Sequence, residues 1–331
     1  MSERYGVGVR PERVVVTAGL SAGFVLAFLA LLDQGYSLGL PSPGYPCYCQ
    51  ILKALNVRPT LIETSGQGRW MPTVADVERL AGEGAAGLLL ASPNNPTGTM
   101  ALSRRLAEIA ETCRRHRLWL IFDEIYHGLE YKAPAETALA HFDEAIVVNS
   151  FSKYFSMTGW RIGWLVVPEP LVRPIERLTQ NLYISPPAIS QVAALGAFDG
   201  IDELEAIKAS YARNRAMLLE ELPRAGLSSI LPADGAFYLY AASLATAKPS
   251  PRPCSRTLAS RSRRASISIR IAAGTISASV MREPRRRCGR QRAASPAGLK
   301  GNRKRTRRAS LTSNAATNLG GAAVQPDLDL C

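Results

Sequence analysis

The chain has 331 residues, 47% of them hydrophobic, a length and composition that allow one large soluble domain or two ordinary ones. Its formal charge of +13 is unevenly placed: residues 1–247 carry 21 basic and 24 acidic groups and residues 248–331 carry 19 and 3, so basicity marks the tail alone. Six cysteines form neither a C-x-x-C pair nor a ligand-spaced cluster with His116, His127 and His141, which argues against structural zinc and leaves a disulfide framework without support.

In chain order, Met1 to Gly6 lacks an apolar h-region, so no secretory signal is expected and the cytoplasm is the expected compartment. Residues 14–17 read as a strand. The apolar run that follows, from Ala18 to Leu32, is about fifteen residues against the roughly 20 that span a bilayer, so it is predicted as a buried helix beginning at the Ser21 hydroxyl. Further apolar strands are predicted at 37–40, 57–62, 87–91, 118–122, 145–149 and 162–167, separated by helices at 48–55, 74–81 and 103–116. This alternation predicts an α/β domain with a mostly parallel sheet covered on both faces. Beyond Pro168 the pattern turns helical, at 188–199 and 202–222, and one more strand is expected at 236–240.

Four segments at strand ends carry polar residues suited to a ligand. Thr17-Ala18-Gly19-Leu20-Ser21 runs from a strand into a helix, and free backbone N–H groups there, with the Ser21 hydroxyl, suit a phosphate; an ordinary strand-to-helix turn would use the same residues. Ser92-Pro93-Asn94-Asn95-Pro96 follows the strand at 87–91, and its prolines hold the Asn95 amide at the carboxyl end of the sheet, unless the segment is only a chain reversal. Asp123-Glu124-Ile125-Tyr126 places a carboxylate and, three residues on, a phenol, able to address a cationic nitrogen and a nearby oxygen of one flat ligand; Glu124 reads as structural. The fourth is Asn149-Ser150-Phe151-Ser152-Lys153, continuing to Trp160-Arg161-Ile162-Gly163. It sets one lysine among apolar and hydroxylic residues, a setting for Schiff-base chemistry, whereas most lone lysines are solvated surface groups.

Together these motifs resemble the class I/II aminotransferases of the fold-type-I pyridoxal-phosphate enzymes, in the family's order, from about Val14 to Tyr240. The resemblance implies a three-layer fold-type-I large domain and pyridoxal 5'-phosphate as cofactor, and it makes Lys153 the Schiff-base lysine. It implies that Ser150, Arg161 and the backbone at Leu20 and Ser21 hold the cofactor phosphate. Asp123 would pair with the pyridine nitrogen, Tyr126 and Asn95 would bond the phenolic oxygen, and Tyr45 would stack on the ring. Lys153, Asp123 and Tyr126 are the expected catalytic residues, and no metal is expected. The implied reaction moves an amino group from an amino acid to a 2-oxo acid, in a homodimer without membrane attachment, within amino-acid biosynthesis. The alternatives are an impaired cofactor-binding remnant and a β-lyase of the same fold.

Two departures from the family accompany the match. The family's N-terminal segment is expected to be missing, and so is the arginine that takes the substrate α-carboxylate; Arg270 in Ser268-Ile269-Arg270-Ile271 is the nearest local text, without a sequence reason to place it in the pocket. The expected organisation is a large domain over 1–201, a partial small domain over 202–244 that includes Asp234-Gly235-Ala236-Phe237-Tyr238, and a disordered basic tail over 245–331. No Phe, Trp or Tyr follows Tyr240, and Arg, Ala, Ser, Pro and Gly are what GC-rich codons give out of frame, so a change of reading frame near 245–248 is expected. The other reading of the tail is a basic extension that binds nucleic-acid phosphates through the arginine runs at 285–287 and 303–308.

Overall fold

A computed structural model of the chain describes residues 1–224, 229–231, 233–243, 265–272 and 275–282. A short helix α1 (Ser2–Tyr5) precedes β1 (Val14–Thr17), α2 (Leu20–Leu31), β2 (Ser37–Ser42), α3 (Pro46–Ala54) and β3 (Arg58–Glu63). Next come α4 (Val74–Gly82), β4 (Gly87–Ala91), α5 (Ser103–Arg115), β5 (Trp119–Asp123), β6 (Ile146–Ser150) and β7 (Gly163–Val166). Helices α6 (Glu169–Leu182), α7 (Ala188–Gly196) and α8 (Ile201–Arg224) lead to strands β8 (Ser229–Ile230), β9 (Tyr238–Ser243), β10 (Ala265–Ala272) and β11 (Thr275–Arg282).

The first sheet has seven strands in the order β1-β7-β6-β5-β4-β2-β3. Strands β2 to β6 are parallel, and β7 is antiparallel to both β6 and β1, so β1 points the same way as the parallel set. Side chains alternate between faces, as a period of two requires. Leu89, Ile121 and Val148 share one apolar cluster with Phe24 and Phe28 of α2 and Leu52 of α3. Leu88, Leu90, Leu120, Phe122 and Val147 share another with Val77 and Leu80 of α4 and Leu106 and Ile109 of α5. Two helical layers on one sheet make the expected three-layer architecture. The outermost strands are the exception to two-sided burial: Val14 and Val16 on β1 and Leu61 on β3 are exposed, because each strand has a neighbour on one side only.

Helix α2 starts one residue earlier than its hydroxyl suggested. Gly19 is its N-cap, at φ 84°, and Ser21 lies exposed in the first turn without capping it. Helix α6 has no separate place among the expected elements; it begins just after Pro168 and carries Pro174 within it. Pro170 sits in the first helical turn, where no intrahelical N–H bond is lost.

The second sheet is antiparallel, in the order β11-β10-β9-β8. Strands β10 and β11 fall inside the stretch whose composition predicts disorder. Their text explains them: Ile267, Ile269 and Ile271, then Ile276, Ala278 and Val280, alternate with smaller or polar residues at strand period. Strand register sets Arg270 opposite Tyr238. The rest of the expected tail, the frame change at 245–248 and both arginine runs lie outside the described residues. Among those described, no helix is long and apolar enough to cross a membrane.

Candidate active site

Strand direction brings the four polar segments to one edge of the first sheet. Gly19 follows β1, Tyr45 follows β2, Asn95 follows β4, Asp123 ends β5, and Ser150 and Lys153 end and follow β6, while Arg161 precedes the antiparallel β7. In open α/β sheets this carboxyl edge is where ligands bind.

Asp123 is 2% exposed. Its Oδ1 accepts from the Ile125 N–H at 3.0 Å and its Oδ2 from the Tyr48 hydroxyl at 2.5 Å. Burial pushes the carboxyl up to about 6, and the two donors and the Lys153 charge pull against that rise. Lys153 Nζ lies 5.7 Å from the ring centroid of Tyr126 and 5.3 Å from that of Phe237, so the amine faces aromatic surface next to a buried acid. Tyr126 is buried, and its hydroxyl is 3.1 Å from that of Tyr238. The Asn95 amide donates to the same Tyr238 oxygen at 3.3 Å. Tyr45 stands half open, edge-on to Tyr48 at 5.4 Å, and so stays linked to Asp123.

A second group of contacts gathers about the start of α2. A Cβ at Gly19 would lie 2.5 Å from the Arg161 guanidinium, and the positive φ there also requires glycine. Gly163 is needed for a different reason: its Cβ would meet the Asn149 carbonyl at 2.6 Å and the backbone of Gly19 and Ser150 at 3.3 Å, so β7 passes against both turns. The Ser150 hydroxyl is buried between Ser152 Oγ at 2.8 Å and the Ile162 carbonyl at 3.0 Å. The Cys47 thiol sits against the Ser21 and Tyr45 hydroxyls, its pKa raised by burial. Guanidinium, hydroxyls and the positive end of α2 make this an anion-favouring corner.

Behind Asp123 lies a buried polar network. Glu124 Oε1 accepts from the Thr137 hydroxyl at 2.7 Å and the Ala138 N–H at 3.1 Å, and Oε2 lies 3.4 Å from His127 Nδ1. That contact has the spacing of an ion pair, but burial pushes Glu124 up to about 8 and His127 down to about 3, so both partners are neutral. His127 Nε2 faces the Ser92 carbonyl at 3.0 Å, which only accepts, so Nε2 carries the hydrogen and Nδ1 accepts from the Tyr5 hydroxyl at 2.6 Å. The network ties the Asn95 loop to the segment bearing Tyr126.

Contacts thus join Asp123, Tyr126, Lys153, Asn95 and Tyr45 in one group and Leu20, Ser21, Ser150 and Arg161 in the adjoining corner. Sequence reasoning missed Tyr48, Phe237 and Tyr238. Tyr48 carries a signal, three residues after Tyr45 at the head of α3, whereas Tyr238 opens β9 of the second sheet and Phe237 immediately precedes it.

A family model described as aminotransferase class I and II matches residues 1–248. The valine–pyruvate aminotransferase of Mycobacterium tuberculosis is 46% identical over 242 residues, covering 72% of this chain and 62% of the relative. A crystal structure of an aminotransferase from Mycobacterium tuberculosis superimposes with a TM-score of 0.70 at 46% identity, over 72% of this chain and 63% of that one. The aspartate aminotransferase of Thermus thermophilus with maleate gives 0.69 at 30% identity, over 72% and 64%. The chain therefore spans somewhat less than two thirds of the length of these relatives.

Proposed function

This chain belongs to the class I and II aminotransferase family, and we propose that it binds pyridoxal 5'-phosphate at the carboxyl edge of its seven-stranded sheet and moves an amino group from an amino acid to a 2-oxo acid. The observation that carries the proposal is the buried Asp123 carboxyl beside Lys153, roofed by the Tyr126 and Phe237 rings. The donor set fits the cofactor. A buried acid suits a pyridinium nitrogen, an amine suits an aldehyde, and the guanidinium pressed on Gly19 at the head of α2 suits a phosphate dianion.

In this reading Arg161, Ser150 and the backbone of Leu20 and Ser21 hold the phosphate, and Tyr45 covers one ring face. Asp123, kept ionised by Tyr48 and the Ile125 N–H, holds the proton on the ring nitrogen. The chemistry the cofactor supplies is an electron sink for the pair left at the substrate α-carbon. Tyr126 and Asn95 present donors to the phenolic oxygen. Lys153 Nζ takes the α-proton from one substrate and returns a proton to the other, so the two half-reactions share one base.

The mycobacterial relative's name nominates valine and pyruvate as the first pair to assay. A homodimer belongs to the same proposal, supported by the exposed Ile189, Val192, Leu195 and Phe198 in and beside α7. So do a cytoplasmic location in amino-acid metabolism and a boundary near residue 201 between a large and a partial small domain. Borohydride reduction of the full chain with pyridoxal phosphate, followed by peptide mapping, is expected to label Lys153 and to label nothing in Lys153→Ala. An unmodified Lys153 in the wild-type chain would sink the proposal, and a labelled chain that transfers no amino group from any amino acid would leave the remnant and β-lyase readings.

A further inference from the structure

Strand β9 sends a hydroxyl across to the first sheet. Tyr238 is 112 residues from Tyr126 and 143 from Asn95, yet its oxygen lies within hydrogen-bond reach of both. Asn95 Nδ2 can only donate, so the Tyr238 oxygen accepts from it, while between Tyr238 and Tyr126 either hydroxyl can be the donor. With Tyr238 as the donor, the Tyr126 proton points at a further acceptor, and a hydroxyl that accepts one bond donates the next more strongly. Tyr238 also meets Tyr126 ring to ring, edge-on at 5.8 Å and 83°.

The segment before Tyr238 is clamped to the loops that bear its two partners. The N–H groups of Asp234 and Gly235 donate to the Gly98 carbonyl at 2.8 and 3.1 Å, in the loop of Asn95. The Ala236 N–H donates to the Leu129 carbonyl at 2.9 Å, and the Tyr131 hydroxyl donates to the Ala236 carbonyl at 2.6 Å, both in the segment that follows Tyr126. Asp234 Oδ2 accepts from the Met100 N–H at 3.2 Å and pairs with Arg69. Ala236 adopts φ 59°, a conformation costly for a residue with a Cβ, and these bonds hold it there. Tyr238 is therefore fixed with respect to Asn95 and Tyr126 together.

We propose that Tyr238 is a positioning residue: it aligns the Asn95 amide and the Tyr126 hydroxyl on the phenolic oxygen of the cofactor and, through Tyr126, sets how strongly that oxygen holds a neighbouring proton. The inference rests on the cofactor reading above and extends it to a residue of the second sheet. The readout is the pH midpoint of the visible absorption of the full chain loaded with pyridoxal phosphate. Tyr238→Phe keeps the ring contact and removes the hydroxyl. The midpoint is expected to rise by roughly 0.5 to 1 pH unit, the size of one hydrogen bond, because an oxygen with weaker donors retains its proton more tightly. In a Tyr126→Phe background the same substitution is expected to raise the midpoint by less, because only the Asn95 contact is left to lose.

An unchanged midpoint, or an equal rise in both backgrounds, overturns the role of Tyr238 alone. A wild-type chain that develops no visible band overturns the cofactor reading and this role together. A cofactor-free check uses urea unfolding of the full chain: Tyr126→Phe and Tyr238→Phe are expected to be less than additive, and strict additivity overturns their coupling.

Discussion

At the carboxyl edge of the seven-stranded sheet Asp123, Glu124, Asn149 and Ser150 are buried and hydrogen-bonded, whereas along residues 182–201 Ile184, Ile189, Val192, Leu195 and Phe198 stand 54–79% exposed. The first region takes polar groups out of water, which costs free energy unless each finds a partner. The second leaves apolar groups in water, which costs free energy unless another surface covers them. Both depart from the ordinary distribution of residues, one by burying polar groups and the other by exposing apolar ones.

The steepest way to break the first region is to disturb its backbone. Gly163→Val would drive a branched side chain into the Asn149 carbonyl and the Gly19 turn, and is expected to cost about 3 kcal/mol or more in urea unfolding. A loss under about 1 kcal/mol would mean that β7 does not pass as closely as described.

Proton linkage sharpens the same region next. Glu124, raised from 4.5 to about 8, contributes stability that is complete below 4.5 and is lost as pH rises through 8. His127, lowered from 6.5 to about 3, contributes stability that is complete above 6.5 and is lost as pH falls toward 3. Within this pair only Glu124 changes between pH 6.5 and 8, so stability is expected to fall there by up to about 2 kcal/mol, and Glu124→Gln is expected to flatten the slope. An equal slope in the variant would assign the titration elsewhere.

Tyr48→Phe removes a donor from an ionised acid and is expected to cost about 1.5 kcal/mol at pH 8. The loss should shrink at pH 5, where Asp123, raised to about 6, takes up its proton and no longer needs the donor to offset a buried charge. A pH-independent loss would point to packing of the ring and not to the hydroxyl. The smallest stability effect is expected in the second region. Val192→Ser with Leu195→Ser should change monomer stability by less than about 0.5 kcal/mol, since both side chains are already exposed. In sedimentation the same variant should lose the proposed dimer, and one that still pairs would place the interface elsewhere.

Much of the layered domain was legible because its signals are local. The expected strands at 14–17 and 87–91 coincide with β1 and β4, since β-branched or aliphatic runs between turn residues identify themselves over a few positions. Lys153, Asp123 and Asn95 stood out because each follows a buried strand, and parallel strands release their chains at one edge. Strands β10 and β11 were missed for a compositional reason: abundant Arg, Ser and Ala hid an alternation that only a residue-by-residue count reveals.

By itself the sequence determined the α/β class, the carboxyl-edge residues and the position where ordinary composition stops, because each depends on neighbours within a few residues. Tertiary structure alone decided that Tyr48, 75 residues before Asp123, supplies its donor, and that Phe237 and Tyr238, at the entry to β9, close over Lys153 and Tyr126. Those partnerships depend on strand order and on how two sheets pack. Spacing along the chain carries no record of either, since contacts at such separations arise only after the loops between them have closed.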